Sequence, residues 1–537
     1  MRKLLTVITG LLLMGTIQAW AADFETAKDA VKNMGVGWNL GNTLDACSGS
    51  AQGLESETYW GQPKTKPELM KMMKEAGFSA IRVPVTWYNH MDANGKVDEA
   101  WMKRVHEIVD YVINQGMYCI VNVHHDTGDG TQWLHASTSS FNKNKAKFEY
   151  LWRQIATEFK DYDQKLLFEA YNEMLDDNNQ WNEPKAQEGY TAINNYAKSF
   201  VTTVRNTGGN NKQRNLIVNT YSASSTANAM KALELPESTG HIIFQLHSYP
   251  NWQNESNAKR EIDNLISNIK TNLLKRAPVI IGEYATFTTW PSNIDYYETN
   301  RSVALYAMDY LIKQAKTAGI GTFYWMGLSD GASRSVPVFN QADLAETLIK
   351  AYYGSTDGYK FPVYDSSDGV VVFEGEKQLE WGQAINFPAS YFSNLDNSTF
   401  VQVTYQQKYD QFTGDNVYGM FQFWYNDWSE QINFEVDGKT YVHDFEPKAH
   451  YGTDSGTEHV TDFHFDAATF NKFKSKGMLF QGHGILVTKA ILTKTPASGM
   501  KLVTKDEVPD AIYNLQGQRI SEPIKGIYIK NGKKYIK

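Results

Sequence analysis

Short apolar segments alternate with segments of helical periodicity from about residue 23 to about residue 354 of this chain. An apolar run bounded by polar or turn-forming residues is typical of a buried strand, and apolar residues three and four positions apart are typical of a helix packed on it. Eight strand candidates stand out, at residues 34–41, 79–85, 117–123, 168–173, 215–218, 242–247, 278–283 and 320–325. This alternation predicts an α/β fold with a parallel sheet.

Two architectures accommodate eight such strands, the closed (β/α)8 TIM barrel and the open doubly wound sheet. An open sheet usually carries a glycine-rich phosphate loop after its first strand, and neither G-x-G-x-x-G nor G-x-x-x-x-G-K-[ST] occurs in this sequence. The barrel is therefore predicted. Helices are expected at 98–115, 190–204 and 302–318, and Thr65, Pro67 and Glu68 predict another helix that begins with a capping box.

Polar and aromatic residues stand at the C-terminal ends of most strand candidates. They are Asn39, Arg82, His124, His125, Asn172, Glu173, His247, Tyr249, Glu283 and Trp325. Each has an ordinary structural explanation on its own, such as a helix cap for Glu173, a surface ion pair for Arg82 or a core position for Trp325. In a barrel these strand ends form one rim, so together the residues predict one active site.

Two glutamates at the ends of separate strands suit the hydrolysis of a glycosidic bond. Glu173 follows Asn172, an amide that can donate to a sugar hydroxyl, and has no cation beside it in the sequence. Glu283 leaves an apolar strand, and hydrogen bonds from Arg82 and Tyr249 would keep it ionised. We therefore expect Glu173 to be the general acid/base, Glu283 the nucleophile, and their carboxyl groups about 5–5.5 Å apart.

Composition agrees with a carbohydrate substrate. Aromatic residues make up 13% of the chain, and their rings stack on apolar sugar faces, although aromatic-rich cores are the commoner reason for such a content. A formal net charge of -8 argues against a nucleic-acid partner. We expect a carbohydrate as the partner, with Trp325 as the floor beneath the reacting sugar, and no obligatory protein partner.

The strand-end motifs resemble those of glycoside hydrolase family 5, and in particular its bacterial endoglucanase and xyloglucanase branch. The matching segments are G-W-N-L-G-N-T-L-D at 37–45, I-R-V-P-V-T-W at 81–87, N-V-H-H at 122–125, N-E at 172–173, H-S-Y-P at 247–250, G-E-Y at 282–284 and F-Y-W at 323–325. The resemblance implies a retaining endo-β-1,4-glucanase that acts on a β-linked polysaccharide and needs no cofactor or metal. By position it implies that Glu173 is the acid/base, that Glu283 is the nucleophile, and that Arg82, His124, Asn172, His247, Tyr249 and Trp325 line the reacting subsite. Met174 departs from the proline that many relatives have there, which leaves the chemistry intact.

A metal site is the competing interpretation of the same rim. It would use His124, His125, Asp126 and His247. Metal-dependent barrel hydrolases usually place two histidines as H-x-H on one strand, because adjacent residues point to opposite faces. The adjacent pair found here favours the glycosidase. A non-catalytic glycan-binding protein is the other alternative, and it would be expected to lack one of the glutamates.

Beyond the barrel, short alternating segments between about residues 358 and 498 predict an all-β domain, a jelly-roll-like sandwich. It is similar to modules appended to secreted polysaccharide hydrolases. Trp381, Trp424 and Trp428 are therefore candidates for a second glycan-binding site, and core positions for the same tryptophans are the equal alternative. The preferred glycan depends on the shape of loops beyond the reacting subsite, so cellulose-type glucan, mixed-linkage glucan, xyloglucan and mannan all remain open.

The two ends of the chain carry export features. Arg2 and Lys3 precede an apolar run and the segment A-W-A at 19–21, which predicts a signal peptide over residues 1–21. Residues 505–537 resemble the C-terminal sorting segments of Bacteroidetes, with a packed edge hairpin as the alternative. We expect a secreted or cell-surface protein without a membrane span, with its catalytic domain at 22–355. Whether Cys47 and Cys119 pair is left open, although Cys119 lies in an apolar strand and is expected to be a buried thiol.

Overall fold

The structure is a computed structural model. It describes residues 24–48, 53–128, 132–250, 252, 254–286, 294–363, 370–380, 382–392, 395–407, 420–442, 444–445, 458–495 and 497, together with four short strands near the C-terminus. The predicted signal peptide, Trp381 and most of the predicted sorting segment lie outside these residues.

Eight parallel strands form a closed barrel in sequence order. They are β1 Val36–Asn39, β2 Ala80–Val83, β3 Tyr118–Asn122, β4 Leu166–Glu169, β5 Leu216–Asn219, β6 Ile242–Ser248, β7 Val279–Tyr284 and β8 Gly321–Trp325. The predicted fold class is confirmed, and each predicted strand overlaps an observed one. Strand β1 pairs with both β2 and β8, and this pairing places Asn39 beside Arg82 on one side and Trp325 on the other. Three predicted site residues are therefore neighbours across the sheet.

Nine helices belong to the part of the chain described up to residue 363, which contains the barrel. They are α1 Ala27–Asn33, α2 Pro67–Glu75, α3 Glu99–Ile113, α4 Thr138–Glu158, α5 Glu188–Asn206, α6 Ala227–Ala232, α7 Glu255–Asn272, α8 Ile294–Ala318 and α9 Ala342–Tyr353. The predicted capping box is wrong: Lys66 is the N-cap of α2, and no side chain caps it. The backbone N–H of Thr65 donates instead to the buried carboxylate of Glu57, 2.7 Å away. The segment that leads into α2 is therefore fixed by a residue outside the helix.

The barrel interior has an apolar layer below a polar one. The apolar layer is a buried cluster that takes one residue from each of β2 to β8 at its centre, namely Ala80, Ile120, Leu167, Ile217, Ile243, Ile280 and Phe323. Strand residues two positions apart face the same side. The next inward residues are therefore largely polar, and buried: Arg82, Asn122, Glu169, Asn219 and Gln245, with Asn39 from β1. This polar layer is the foundation of the site at the strand ends.

Strand β7 carries one extra residue relative to both of its neighbours. In the pairing with β6, Leu246 is opposite Ile281 and His247 is opposite Glu283, so Gly282 is skipped. The pairing with β8 shifts in the same stretch, between Ile281 and Tyr284. Such a β-bulge turns the following side chains relative to strict alternation. Ile281 and Tyr284 both pack in the outer core against the helices, which leaves Glu283 on the inner side.

The C-terminal part consists of antiparallel sheets, as predicted. Two four-stranded sheets, in the orders β10-β17-β12-β15 and β16-β11-β18-β9, contribute residues to one hydrophobic cluster. The elements are β9 Val370–Leu379, β10 Ala384–Phe387, β11 Phe400–Gln407, β12 Met420–Tyr425, β13 Phe434–Val436, β14 Lys439–Tyr441, β15 Asp444–Phe445, β16 Glu458–Phe463, α10 Ala467–Lys476, β17 Met478–His483 and β18 Ile485–Thr493. A further sheet near the C-terminus comprises β19 Ile512–Asn514, β20 Arg519–Ile520, β21 Ile527–Lys530 and β22 Lys533–Ile536.

Two smaller questions raised by the sequence have structural answers. Cys47 and Cys119 are both free thiols, and Cys119 is buried as expected, which raises its pKa above the ordinary range. Among the described helices, none combines the length and the apolar character that crossing a membrane would require.

Candidate active site

Arg82 holds the centre of the site. Its side chain is fully buried, and all five of its N–H groups donate to oxygen atoms. Nε and Nη2 form a two-point contact with Glu169 at 2.6 and 2.7 Å, Nη1 donates to Glu283 at 2.7 Å and to Asn39 at 2.9 Å, and Nη2 also donates to Asn172 at 2.8 Å. One guanidinium therefore joins four of the eight strands or their ends, which fixes Glu283 and Asn172 relative to each other.

Glu283 receives the hydrogen bonds that the sequence led us to expect. Besides Arg82, Tyr249 donates its hydroxyl to Oε2 at 2.6 Å. Burial would raise the pKa of Glu283, but the interactions with His247, Arg82 and Tyr249 outweigh it, and the pKa lies below its ordinary value. Glu283 is therefore an ionised carboxylate whose two oxygens are held in a fixed orientation.

Glu173 has a different environment. Its side chain is 22% exposed and lies 2.8 Å from Nδ1 of His247. Burial is the largest influence and raises the pKa of Glu173, and the nearby carboxylate of Glu283 adds to it, against the opposing effect of His247. Nε2 of His247 is 3.5 Å from the amide nitrogen of Gln245. When this amide donates to Nε2, the imidazole proton lies on Nδ1, facing Glu173. The pKa of Glu173 is thus raised, whereas the pKa of Glu283 is lowered.

The two glutamates are close together. One oxygen of each carboxylate and one ring nitrogen of His247 all lie within 4.8 Å of one another. Nδ1 of His247 is 3.5 Å from Glu283 Oε2, so the same imidazole contacts both acids. When the anomeric carbon of a bound sugar lies at Glu283, the glycosidic oxygen that links this sugar to the next one would therefore lie near Glu173.

A line of aromatic rings extends from this pair. Trp325 and His124 are stacked, with centroids 5.9 Å apart and planes 4° apart, and His124 meets the edge of His125 at 4.5 Å. Burial lowers the pKa of His124 well below its usual value, so the ring is neutral beside Glu283. Gly41 packs against Trp325 so closely that a Cβ would come within 2.8 Å of the indole ring. All ten predicted site residues are thus brought to the same end of the barrel.

Four further residues of the site were not predicted from the sequence. Glu169 is the two-point partner of Arg82, and its Oε1 also accepts from Asn122 at 3.1 Å and Asn219 at 3.3 Å. The side-chain amide of Gln245 contacts Nε2 of His247 from the polar layer inside the barrel and so orients the imidazole ring. The signal that could have found Asn122 and Gln245 is their position, two residues before His124 and His247 on the inward face of a predicted strand. Glu169 and Asn219 do not have this spacing to a predicted site residue.

The metal interpretation needs different residues from those named above. Asp126 accepts hydrogen bonds from the Trp87 backbone and from the Trp133 indole, and so faces away from His124. In the described residues, the groupings with suitable spacing are Asp45, His124 and His125, and the set of Glu173, His247 and Glu283. Asp45 already accepts backbone hydrogen bonds from Asn42 and Thr43, and its burial raises its pKa to about 6.

In the C-terminal sheets, two of the three candidate tryptophans are described. Trp424 and Trp428 have ring centroids 5.7 Å apart, and Trp428 is 44% exposed. The indole N–H of Trp424 lies 3.0 Å from Gln481 Oε1 and 3.3 Å from Gln422 Oε1. Trp428 has a φ of 58°, so a tight turn presents its ring at the surface.

Comparison with known proteins gives the family. Residues 44–330 match the family model described as cellulase (glycosyl hydrolase family 5). Endoglucanase B of Neocallimastix patriciarum is 34% identical over 369 residues, which cover 65% of this chain and 75% of the relative. Endoglucanase B of Ruminococcus albus is 39% identical over 285 residues, covering 50% and 67% respectively.

Solved structures agree. A broad specificity endoglucanase from an uncultured bacterium shares 53% identity at a TM-score of 0.60, over 62% of this chain and 97% of that one. A family 5 enzyme from Prevotella bryantii, solved with a xyloglucan tetradecasaccharide, shares 44% identity at a TM-score of 0.58, over 61% and 99%. The protein is a glycoside hydrolase and belongs to the cellulase family, glycosyl hydrolase family 5.

Proposed function

We propose that this glycoside hydrolase is an endo-β-1,4-glucanase that cleaves with retention of anomeric configuration. The observation that carries the proposal is the pair of carboxylates, Glu173 and Glu283, with oxygens within 4.8 Å of each other and pKa values moved in opposite directions. Inverting enzymes hold their carboxyl groups about 6.5–9.5 Å apart to admit a water molecule, whereas retaining enzymes hold them about 5–5.5 Å apart.

In the first step, Glu173 acts as the acid and Glu283 as the nucleophile. The raised pKa of Glu173 favours its protonated form, which gives its proton to the oxygen of the leaving sugar as the glycosidic bond breaks. Glu283 is ionised because His247, Arg82 and Tyr249 hold its pKa down, and one of its oxygens attacks the anomeric carbon. The product is a covalent glycosyl-enzyme and a free chain with a new non-reducing end.

In the second step, Glu173 is a carboxylate and takes a proton from water. The water attacks the anomeric carbon from the side that the leaving sugar vacated, and the bond to Glu283 breaks. Loss of the negative charge on Glu283 during the first step removes one of the influences that raise the pKa of Glu173. The same residue can therefore act first as acid and then as base.

The relatives support a β-1,4-glucan as the substrate. Two relatives are endoglucanases, one similar structure is that of a broad specificity endoglucanase, and another contains a xyloglucan tetradecasaccharide. We propose β-1,4-glucan as the backbone that is cleaved, with xyloglucan accepted as a decorated form of it. Hydrolysis rates on cellulose-type glucan, xyloglucan, mixed-linkage glucan and mannan would rank these substrates, and a clear preference for mannan would contradict the assignment.

Replacing Glu283 by alanine tests the mechanism. Glu283→Ala should reduce glucan hydrolysis by several orders of magnitude while substrate still binds, and Glu99→Ala, at an exposed position, is the matched control. Proton NMR of the first product of the wild-type enzyme should show the β-anomer. Normal turnover by Glu283→Ala, or an α-anomer, would refute the proposal. Activity lost on treatment with a chelator and restored by zinc would favour the metal interpretation.

A second glycan-binding site is proposed on the C-terminal sheets at Trp424 and Trp428. The exposed ring of Trp428 and the tilted ring of Trp424 beside it offer a stacking surface, with Gln422 and Gln481 next to it as polar partners. In the full-length Glu283→Ala protein, Trp428→Ala should weaken binding to insoluble β-glucan. Equal binding with and without Trp428 would indicate that the tryptophans serve packing instead.

Export is proposed from the two ends of the chain. The predicted signal peptide over residues 1–21 and the resemblance of residues 505–537 to sorting segments support a secreted or cell-surface location, where polymeric glucan is found. The cellular location of a variant that ends at Asp510 provides the test. Unchanged export of this variant would contradict a sorting role for the C-terminal segment.

A further inference from the structure

The line of rings that begins at Trp325 continues beyond His125 to a residue not considered so far. Trp60 meets the ring of His125 edge to face, with centroids 5.3 Å apart. Its side chain is 38% exposed, a large exposed surface for an indole next to an active site. The succession Trp325, His124, His125, Trp60 therefore leads from the buried centre of the site to its exposed margin.

The loop that carries Trp60 is held rigidly. A short 3-10 helix, Gly53–Thr58, precedes it, and Glu57 of that helix forms a buried ion pair with Arg104 of α3 through two contacts of 2.8 Å. On the other side of Trp60, Gln62 accepts from the backbone of Gly331 at 3.0 Å and donates to Asp330. The loop is anchored on both sides of Trp60, so an exposed indole is presented in one place rather than left mobile.

The position of Trp60 also tells which part of a bound glucan it would meet. Its ring contacts His125 in the loop after β3, and its loop contacts the loop after β8 through Gln62. Because Trp60 also follows β1, it lies over the half of the barrel mouth formed by β8, β1, β2 and β3. Glu173 follows β4 and contacts His247 on β6, on the other half. Since the acid protonates the leaving oxygen, the leaving sugars extend over that other half. Trp60 therefore lies on the side of the sugars that stay bound to Glu283.

We infer that Trp60 is the stacking platform of a distal subsite, which binds a glucosyl unit of the chain beyond the sugar that Trp325 contacts, on the non-reducing side of the bond that is cleaved. The inference rests on the proposed roles of Glu173 and Glu283. An indole face suits the apolar face of a β-linked glucosyl ring, and a rigid loop lowers the entropy cost of binding it. The subsite would make the enzyme prefer long chains over short ones.

Aryl β-glycosides of two, three and four β-1,4-linked glucose units test the inference. Their aryl group occupies the leaving side, so each added glucose extends only the side on which Trp60 lies. In the wild-type enzyme kcat/KM for aryl release should rise with length. In Trp60→Ala, the increase in kcat/KM that comes with the glucose unit that reaches Trp60 should be smaller by about 3- to 10-fold, which is the effect of one lost stacking contact. Trp181→Ala is the matched control, because Trp181 is 49% exposed on the loop after β4, on the leaving side.

The outcomes separate cleanly. If Trp60→Ala shows the same length dependence as the wild-type enzyme, Trp60 binds no sugar and the inference is wrong. An equal loss of kcat/KM for substrates of every length would also contradict the inference. Such a loss indicates general damage to the site, whereas loss of a distal contact affects only substrates long enough to reach it. Aryl release by the wild-type enzyme tests the proposed function independently, so a wild-type enzyme without activity would count against the roles of the glutamates and not against Trp60.

Discussion

Replacing Arg82 by lysine keeps the positive charge and changes only the number and geometry of the donors. The guanidinium uses five N–H groups on five acceptor contacts, two to Glu169 and one each to Glu283, Asn39 and Asn172. A lysine has three N–H groups at a single atom, so at least two contacts are lost. The acceptors are buried and cannot turn to water, which makes the loss costly.

The magnitude follows from the number of contacts. A hydrogen bond to a charged group contributes about 1.5–3 kcal/mol, so two lost contacts amount to about 3–6 kcal/mol. If the loss appears as stability, the thermal midpoint of the barrel should fall on the order of 10 °C, at roughly 2–4 °C per kcal/mol. If the lost contact is the one to Glu283, kcat/KM should also fall about 10- to 150-fold.

Thermal unfolding followed by circular dichroism, together with kcat/KM on an aryl cellobioside, measures both effects. Arg301→Lys is the control, because Arg301 forms an ion pair of 2.6 Å with Asp343 but is half exposed, and its replacement should change stability by no more than about 0.5 kcal/mol. An Arg82→Lys enzyme with an unchanged midpoint and kcat/KM within threefold of the wild type would show that the five contacts do not matter as argued.

Two further predictions concern the pH dependence of kcat/KM. Its acidic limb reports the ionisation of Glu283, so Tyr249→Phe, which removes a hydrogen bond that holds the pKa of Glu283 down, should move that limb to higher pH and lower kcat/KM about tenfold or more. The basic limb reports loss of the proton from Glu173, whose pKa His247 lowers. Gln245→Leu frees His247 to carry its proton on Nε2, away from Glu173, so the basic limb should move to higher pH. Unchanged limbs in full pH profiles of the two variants would contradict these assignments.

The sequence predicted the barrel because its main determinant is local. Eight apolar runs separated by helical segments are visible without any knowledge of contacts, and the observed strands differ from the predicted ones mainly at their ends. The residues at the strand ends could be named for the same reason, since the fold brings all C-terminal ends of parallel strands to one rim.

The polar layer inside the barrel could not be predicted in this way. Glu169 is one acid within an apolar run, and its role depends on Arg82 reaching it from β2, two strands away in the barrel. Thr65 illustrates the opposite case, in which a local capping motif is overridden by a distant residue, Glu57. Both outcomes depend on side chains that meet only after the chain has folded, which a local pattern does not contain.

The extra residue in β7 has a consequence for how the enzyme can change over evolutionary time. Because of this residue, two successive positions, Gly282 and Glu283, lie on the inner side of the barrel between Ile281 and Tyr284 on the outer side. A Cβ at Gly282 would come within 2.3 Å of the Gln245 side chain, so the position before Glu283 favours glycine. If the same residues paired without the bulge, regular alternation would turn the carboxylate outward toward the helices, even with every site residue still encoded. The loops around the rim can therefore gain and lose residues as substrates change, whereas the bulge and its glycine must be inherited together with Glu283.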